Sequence, residues 1–434
     1  MSEPSPSTEA RPTSGRLIDR TKRWSGILAA FFSAQSAVQL LGIGAGLLFV
    51  NYLPVEQFAL YTLANSVLSF FTFASDLGST SSLVYFYRTT SHEPGAFESM
   101  LAAVSSLRRT AFILGAVIAA VALPAAAAAR GLPAKDALFC TVGVLAAVWF
   151  QIEASLGVLT LRLANDYGRS YRAELAGGLL RLALAAALVG LGGRIAWLAV
   201  LTGTAATALV ATLARARHSR PTADLAGSRR RVVRYLLPSL PNALYFSVQG
   251  PLTVWLSATF GSTRTIAEVG AIGRLGLVVS IFGSLTGVVF LPYLARVQDE
   301  RVYLARFLQF GALLALLGGL LFAAAAGVPK LFLALLGPRY NGLHAELLFV
   351  VGGAWLTLLD GYLVNVNFSR SWNRWQSVAL AIQVATQCVL LIFIPLSTTL
   401  GVVRFAAASA AVALLLQGLT ATIGFLRPSW VHWH

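Results

Sequence analysis

Charge is scarce in this chain, and acid is scarcer than base. Asp, Glu, Lys and Arg make up 12% of 434 residues, with 17 acids against 33 bases, while 57% of residues are hydrophobic. A soluble protein of this length needs far more polar surface, and the mean hydropathy of +0.72 agrees. Cysteine is almost absent. Cys140 and Cys388 lie inside apolar stretches, which excludes a disulfide framework and metal-ligand spacing and predicts two buried thiols. No apolar leader with a small-residue cleavage site stands out. Residues 1–24 (MSEPSPSTEARPTSGRLIDRTKRW) are polar, basic and Pro/Ser-rich, and are read as a disordered cytoplasmic tail. Large outer loops are lacking too: the longest, about 327–343, carries the turn-rich Gly337-Pro338-Arg339-Tyr340-Asn341-Gly342 and no catalytic constellation. That leaves a function performed within the membrane.

The bases are not spread as a nucleic-acid footprint would be. They form short clusters between apolar segments, as expected of loops facing an anionic cytoplasmic leaflet. About twelve apolar stretches are long enough to span a bilayer: 26–50, 58–87, 104–129, 137–161, 173–192, 195–214, 235–260, 266–294, 305–326, 344–367, 377–396 and 401–426. With the N-terminus inside, 24 Lys and Arg fall on the inner side and 7 on the outer, which places both termini in the cytoplasm. Arg88, Arg108 and Arg109 belong to one inner connection, and the richest, 215–234, divides the chain. The domains are then the 1–24 tail, an N-lobe over 25–214, a basic cytoplasmic linker over 215–234 and a C-lobe over 235–434. Leu53-Pro54 before Phe58-Ala59-Leu60-Tyr61 and Phe260-Gly261 before Ile266-Ala267-Glu268-Val269 form a faint internal echo of two six-helix halves.

Four motifs then align in order. The Tyr52–Arg88 segment YLPVEQFALYTLANSVLSFFTFASDLGSTSSLVYFYR ends its apolar run with Asp76-Leu77-Gly78. Tyr235-Leu236-Leu237-Pro238-Ser239-Leu240-Pro241 opens the seventh stretch. Ala271 through Arg274-Leu275 to Leu291-Pro292-Tyr293-Leu294-Ala295 fills the eighth, and Leu335-Leu336-Gly337-Pro338-Arg339-Tyr340 precedes the tenth. This set resembles the polysaccharide and O-antigen flippases of the multidrug/oligosaccharidyl-lipid/polysaccharide (MOP) exporter superfamily, with Ala59 where that family commonly has Gly. The resemblance implies an all-α integral membrane protein of two six-helix lobes around a central cavity, as in the multidrug exporters of the superfamily. It implies a flippase that moves an undecaprenyl-pyrophosphate-linked oligosaccharide across the inner (plasma) membrane by alternating access. A proton or sodium gradient would drive it, with no cofactor. Expected partners are the lipid-linked oligosaccharide, membrane lipids and other polysaccharide assembly proteins, and not nucleic acid.

The residues supply their own candidates. Arg274 and Arg181 are the only bases left within apolar stretches. A charge at membrane depth is costly and usually faces protein or water, and the planar guanidinium fork suits phosphate. Both are candidates for a pyrophosphate headgroup. For Arg181 a structural ion pair with Glu174 or Glu153 stands as the alternative; for Arg274 it is snorkelling near Glu268. Glu153, Asp76 and Asp360 are candidates for ion coupling or gating. Against them stand a fixed salt bridge for Glu153, a helix-end cap for Asp76, and interhelical hydrogen bonding along an Asp360–Asn365–Asn367 stripe for Asp360. Gly42, Gly44 and Gly46 suggest close helix packing. Pro238, Pro241 and Pro251 predict a broken or bent seventh helix. Tyr52, Tyr61, Tyr85, Tyr87, Trp430 and Trp433 read as interfacial anchors.

Two other functions fit a polytopic chain. A cation or multidrug antiporter of the same fold would call for an acid-rich cavity, whereas the deepest charges here are arginines. A membrane polysaccharide ligase or polymerase would need a large outer loop with catalytic Arg and His, and only His344 lies near one.

Overall fold

Among the described residues every predicted apolar run is helical, because backbone polar groups in hydrocarbon must pair within their own segment. The protein is described by a computed structural model covering residues 35–76, 79, 82–83, 86–87, 95–215, 225–237, 240–294, 297, 299–370, 372 and 375–426. The predicted tail 1–24 and the expectations on Gly78, Tyr85, Pro238, Trp430 and Trp433 lie outside these residues. The first half holds α1 (35–52), α2 (Val55–Asp76), α3 (Ala96–Ala128), α4 (Ala134–Leu163), α5 (Tyr167–Gly190) and α6 (Ala196–Leu213). A connecting helix follows, α7 (Leu225–Leu236). The second half holds α8 (Leu240–Phe260), α9 (Thr263–Leu285) running through a π turn (Thr286–Phe290) into Leu291–Leu294, α10 (Glu300–Gly327), a short α11 (Pro329–Ala334), α12 (His344–Ser369), α13 (Gln376–Phe393) and α14 (Thr399–Leu426). Ten of these helices are long and apolar enough to cross a membrane; α1 and α8 occupy the other two predicted positions. Among the described residues there are no strands.

Several helices begin earlier than their apolar runs, because the first turns are polar and capped. Asp166 accepts the amide of Arg169 and starts α5 six residues before the predicted 173. Asp299 caps α10 through the amides of Arg301 and Val302, and Ser262 with Thr265 forms a capping box on α9. The linker prediction needs a larger correction: part of 215–234 is helix α7, packed on α3. Pro251 does not break the seventh span, since α8 is one helix across it. Cys140 is buried as expected, but Cys388 is exposed.

Within the first half, α4 packs on α2, α3 and α6. Within the second, α12 packs on α9, α10 and α14. The halves meet chiefly where α2 lies against α8 and α9. Gly270 permits the α2–α9 approach: a Cβ there would stand 2.3 Å from the Thr62 hydroxyl oxygen. Ile113, Leu114, Val117, Ile118 and Val121 form an exposed apolar face on α3, as a lipid-facing helix requires.

On the face opposite the basic loops, short contacts tie the halves together. Asn51 Nδ2 donates to Leu335 O at 2.8 Å and Arg339 Nη1 to Leu53 O at 2.8 Å. Arg130 Nε donates to Ala258 O at 2.6 Å and its Nη2 to Thr259 O at 2.6 Å. Gly337, at φ 92°, sits where a Cβ would come 2.4 Å from Asn51 Oδ1, so the backbone alone fits.

Candidate functional site

Arg181 and Arg274 come from different halves and meet on one side chain, Tyr61. Arg181 Nη2 donates to the Tyr61 hydroxyl at 3.3 Å, and the Arg274 guanidinium carbon lies 5.7 Å from the centre of the Tyr61 ring, within cation–π range. Tyr61 is 1% exposed and is braced edge-on by Phe49 at 5.2 Å. It is therefore no interfacial anchor; its ring is held between two cations. Gly46 on α1 makes room for Arg274, whose Cδ would lie 3.2 Å from a Cβ at that position. Of the three glycines predicted to mediate packing, Gly42 has nothing within 4 Å and faces space.

The early start of α5 puts Arg181 deeper than the sequence suggested. It lies fourteen residues beyond Tyr167, about 21 Å from the basic side at 1.5 Å per residue. Arg274 is eleven residues beyond Thr263, about 17 Å from the opposite side. The pair thus sits near the middle of the helices, on the far side of the tie contacts.

The carboxylates that could have neutralised these arginines are engaged elsewhere. Glu174 accepts Arg162 at 2.7 Å, Glu153 accepts Arg109 at 2.7 Å, and Glu268 accepts Arg264 at 2.7 Å. Among the described residues neither Arg181 nor Arg274 lies within ion-pair distance of an acid. Arg181 Nε is buried without a hydrogen-bond partner, and such a donor is costly unless something fills its place. A cavity of about 450 Å³ between α1, α4, α5 and α6 reaches from Arg162 and Glu174 to Arg181, with Gln151, Ser155 and Thr207 along its wall.

The three acids separate. Glu153 faces away from that cavity, into a groove of about 500 Å³ with Arg109 and Trp149. Its neighbours Gln151 and Ser155, two residues to either side, face the cavity, as helical spacing demands. Asp76 ends α2 and pairs with Arg108, which is 3% exposed. Arg108 Nε also donates to Ser79 at 2.7 Å and Nη1 to Ser155 at 2.8 Å. Arg108 is thus not a loop charge but the buried centre of a network joining α2, α3 and α4.

Asp360 lines a second cavity of about 540 Å³, with Asn242, Tyr245, Gln249, Gln383 and Ser409. Asp360 Oδ1, Asn242 Oδ1, Gln383 Oε1 and Ser409 Oγ are buried oxygens without hydrogen-bond partners. A set of unmatched oxygens around one carboxylate can take a proton or a small cation. The predicted polar stripe does not stay together: Asn367 bonds to Gln417 and Asn365 to its own helix. No group of three or more His, Cys, Asp or Glu with metal-ligand geometry occurs among the described residues.

Sequence reading missed Tyr61, Arg108 and the amides around Asp360. Only the place of Tyr61, about two turns from the Leu53-Pro54 turn on the helix carrying the first motif, could have marked it. If the tie contacts on the opposite face hold the halves shut, Asn51→Ala with Arg339→Ala should loosen them. Each lost bond contributes about 0.5–3 kcal/mol. Amide hydrogen exchange over 47–54 and 333–340 is expected to quicken on the order of tenfold or more; unchanged exchange in both segments removes the tie from consideration.

No protein-family model matches the sequence, and no curated protein matches it. Solved structures do match in fold. A lipid II flippase, MurJ, in an inward closed conformation has a TM-score of 0.70 at 13% identity, over 92% of this chain and 90% of that one. An inward-facing multidrug resistance MATE family transporter of the MOP superfamily has 0.60 at 14%, over 91% and 95%. The eukaryotic MATE transporter AtDTX14 has 0.60 at 13%, over 94% and 96%. The chain has the fold of these transporters, in two six-helix lobes.

Proposed function

We propose that this chain, built on that fold, is a flippase for an undecaprenyl-pyrophosphate-linked oligosaccharide, working by alternating access and driven by an ion gradient. The observation that carries the reading is the pair of arginines without acid partners among the described residues, one from each half, converging on Tyr61, with Arg181 also lining the cavity that runs from Arg162 and Glu174. A pyrophosphate supplies an acceptor for Arg181 Nε, which is buried without one, and a counter-charge for both guanidinium groups. Because the two cations belong to different halves, a headgroup bound between them couples its own occupancy to the angle between the halves. The sequence motifs add the O-antigen and polysaccharide class. The likeness to a structure named as a lipid II flippase adds a lipid-linked substrate.

The charge asymmetry supports an orientation with the basic loops and both termini in the cytoplasm. Substrate then enters from the inner leaflet past Arg162, while the Asn51–Leu335 and Arg339–Leu53 ties close the outer side. Asp360 is the coupling group of this reading: Asp76 and Glu153 are held in ion pairs, whereas Asp360 faces unmatched oxygens. That acid-bearing cavity is also what favours the second reading, a cation or drug antiporter.

One reconstitution separates the two. Purified protein in liposomes is supplied with a fluorescent polyprenyl-pyrophosphate oligosaccharide or with a fluorescent organic cation, under a proton or sodium gradient. The lipid-linked sugar is expected to cross and the cation not to; the reverse result makes the chain an antiporter. Asp360→Asn should abolish the gradient dependence while leaving slow, gradient-independent exchange. A variant that responds to the gradient like wild type excludes Asp360.

A further inference from the structure

The helix between the halves carries an unused surface. Over Leu225–Leu236 it reads LAGSRRRVVRYL, four arginines and no acid. Ser228, Val232 and Leu236 are buried, at the i, i+4, i+8 spacing of one stripe, and the helix lies against α3. The Tyr235 ring rests 5.7 Å from Phe86. Arg229, Arg230, Arg231 and Arg234 are all exposed, and among the described residues none is in an ion pair. Successive residues turn by about 100°, so Arg230 and Arg234 point straight away from the buried stripe while Arg229 and Arg231 flank it.

Four like charges within two turns repel one another, and among the described residues no carboxylate forms an ion pair with them. Position supplies the answer. Val233, Tyr235 and Leu237 are exposed, large and apolar, and they stand just before α8 begins its span at Leu240. A basic helix whose apolar end adjoins a membrane entrance is suited to the boundary of headgroups and acyl chains.

We propose that α7 is a binding surface for acidic phospholipid headgroups of the leaflet on the basic side. Val233 and Leu237, neighbours on one side of the helix, reach toward the acyl region, Tyr235 braces the helix on Phe86, and the four guanidinium groups hold phosphates. As α7 lies in the one covalent connection between the halves and is seated on α3, bound lipid anchors that connection to the bilayer surface. This rests on the membrane position of the helices and not on the transported substrate, so it stands or falls separately from the flippase reading.

The test uses the full chain in nanodiscs, with brominated phosphatidylglycerol in phosphatidylcholine and the Tyr235 region followed by fluorescence of a label at Gly227→Cys in a Cys140→Ser/Cys388→Ser background. Wild-type protein is expected to show saturable quenching by phosphatidylglycerol, lost in 1 M NaCl and absent with brominated phosphatidylcholine at the same mole fraction. Arg229→Gln/Arg230→Gln/Arg231→Gln/Arg234→Gln should weaken the apparent affinity on the order of 100-fold, while the matching quadruple Lys variant should keep most of it. Saturable quenching by the neutral lipid, quenching that survives 1 M NaCl, or a Gln variant that binds like wild type overturns the proposal. Inorganic pyrophosphate that displaces the lipid at micromolar concentration would do so as well, since it would mark a small-anion site. The salt and lipid comparison uses the labelled protein with all four arginines in place, so it needs no arginine variant to fold.

Discussion

Arg181→Ala and Arg274→Ala are each expected to stop transport of the lipid-linked oligosaccharide while leaving the protein inserted and folded. Neither guanidinium is tied to an acid, so its removal leaves no orphaned carboxylate behind; what is lost is a partner for the headgroup. Truncating one member of a desolvated charge pair costs about 2–5 kcal/mol, and each 1.4 kcal/mol is tenfold in affinity. Headgroup affinity should therefore fall on the order of 30-fold or more in either variant. Lys in place of Arg keeps the charge but not the planar fork, and should recover part of the activity. Tyr61→Phe removes the hydroxyl that receives Arg181 but keeps the ring beneath Arg274, and is expected to fall between wild type and the Ala variants. The readouts are binding of the pyrophosphate lipid to purified protein and, in cells, surface polysaccharide against intracellular lipid-linked intermediate. If both Ala variants bind and export like wild type, the headgroup assignment fails.

Asp76→Ala carries the largest expected effect on stability. It strands Arg108, which is 3% exposed and keeps only Ser79 and Ser155 of the partners named above. Breaking a buried pair from one side costs about 3–5 kcal/mol, and the one-third exposure of the Asp76 side chain places the cost toward the lower end. The double variant Asp76→Leu/Arg108→Leu should recover much of the loss, because replacing both members of a buried pair by apolar groups is often neutral. Thermal unfolding of detergent-purified protein measures this. Asp76→Ala melting with wild type would mean that water already solvates Arg108. The same measurement distinguishes a structural role for Asp76 from a gating one: a gate would slow transport without lowering the unfolding temperature.

Much of the fold was legible before any coordinate. The helices and their order follow from hydropathy, because each run must be long and apolar enough to cross the bilayer. Helix starts were less legible at 167 and 300. Asp166 and Asp299 cap polar first turns that hydropathy assigns to loops. Arg108 was misread for the same reason, since α3 begins at Ala96, well before its apolar run. Helix α7 reads as a linker because its buried stripe offers only Val232 and Leu236 beside Ser228, and arginine dominates its composition.

The candidate site divides in the same way. Arg181 and Arg274 stood out alone, because a charge in an apolar run is visible without a partner. Tyr61, Asn242, Gln383 and Ser409 did not, because a tyrosine or an amide in a helix says nothing of which neighbour it faces. The sequence by itself determined the spans, their order and which charges were exceptional, since these depend on local transfer free energies between water and lipid. Only the tertiary structure decided that the two exceptional arginines share one tyrosine, and that Glu174 and Glu153 are spent on other cations. Arg181 and Arg274 reach Tyr61 from segments more than a hundred residues away in sequence, a packing that no local pattern encodes.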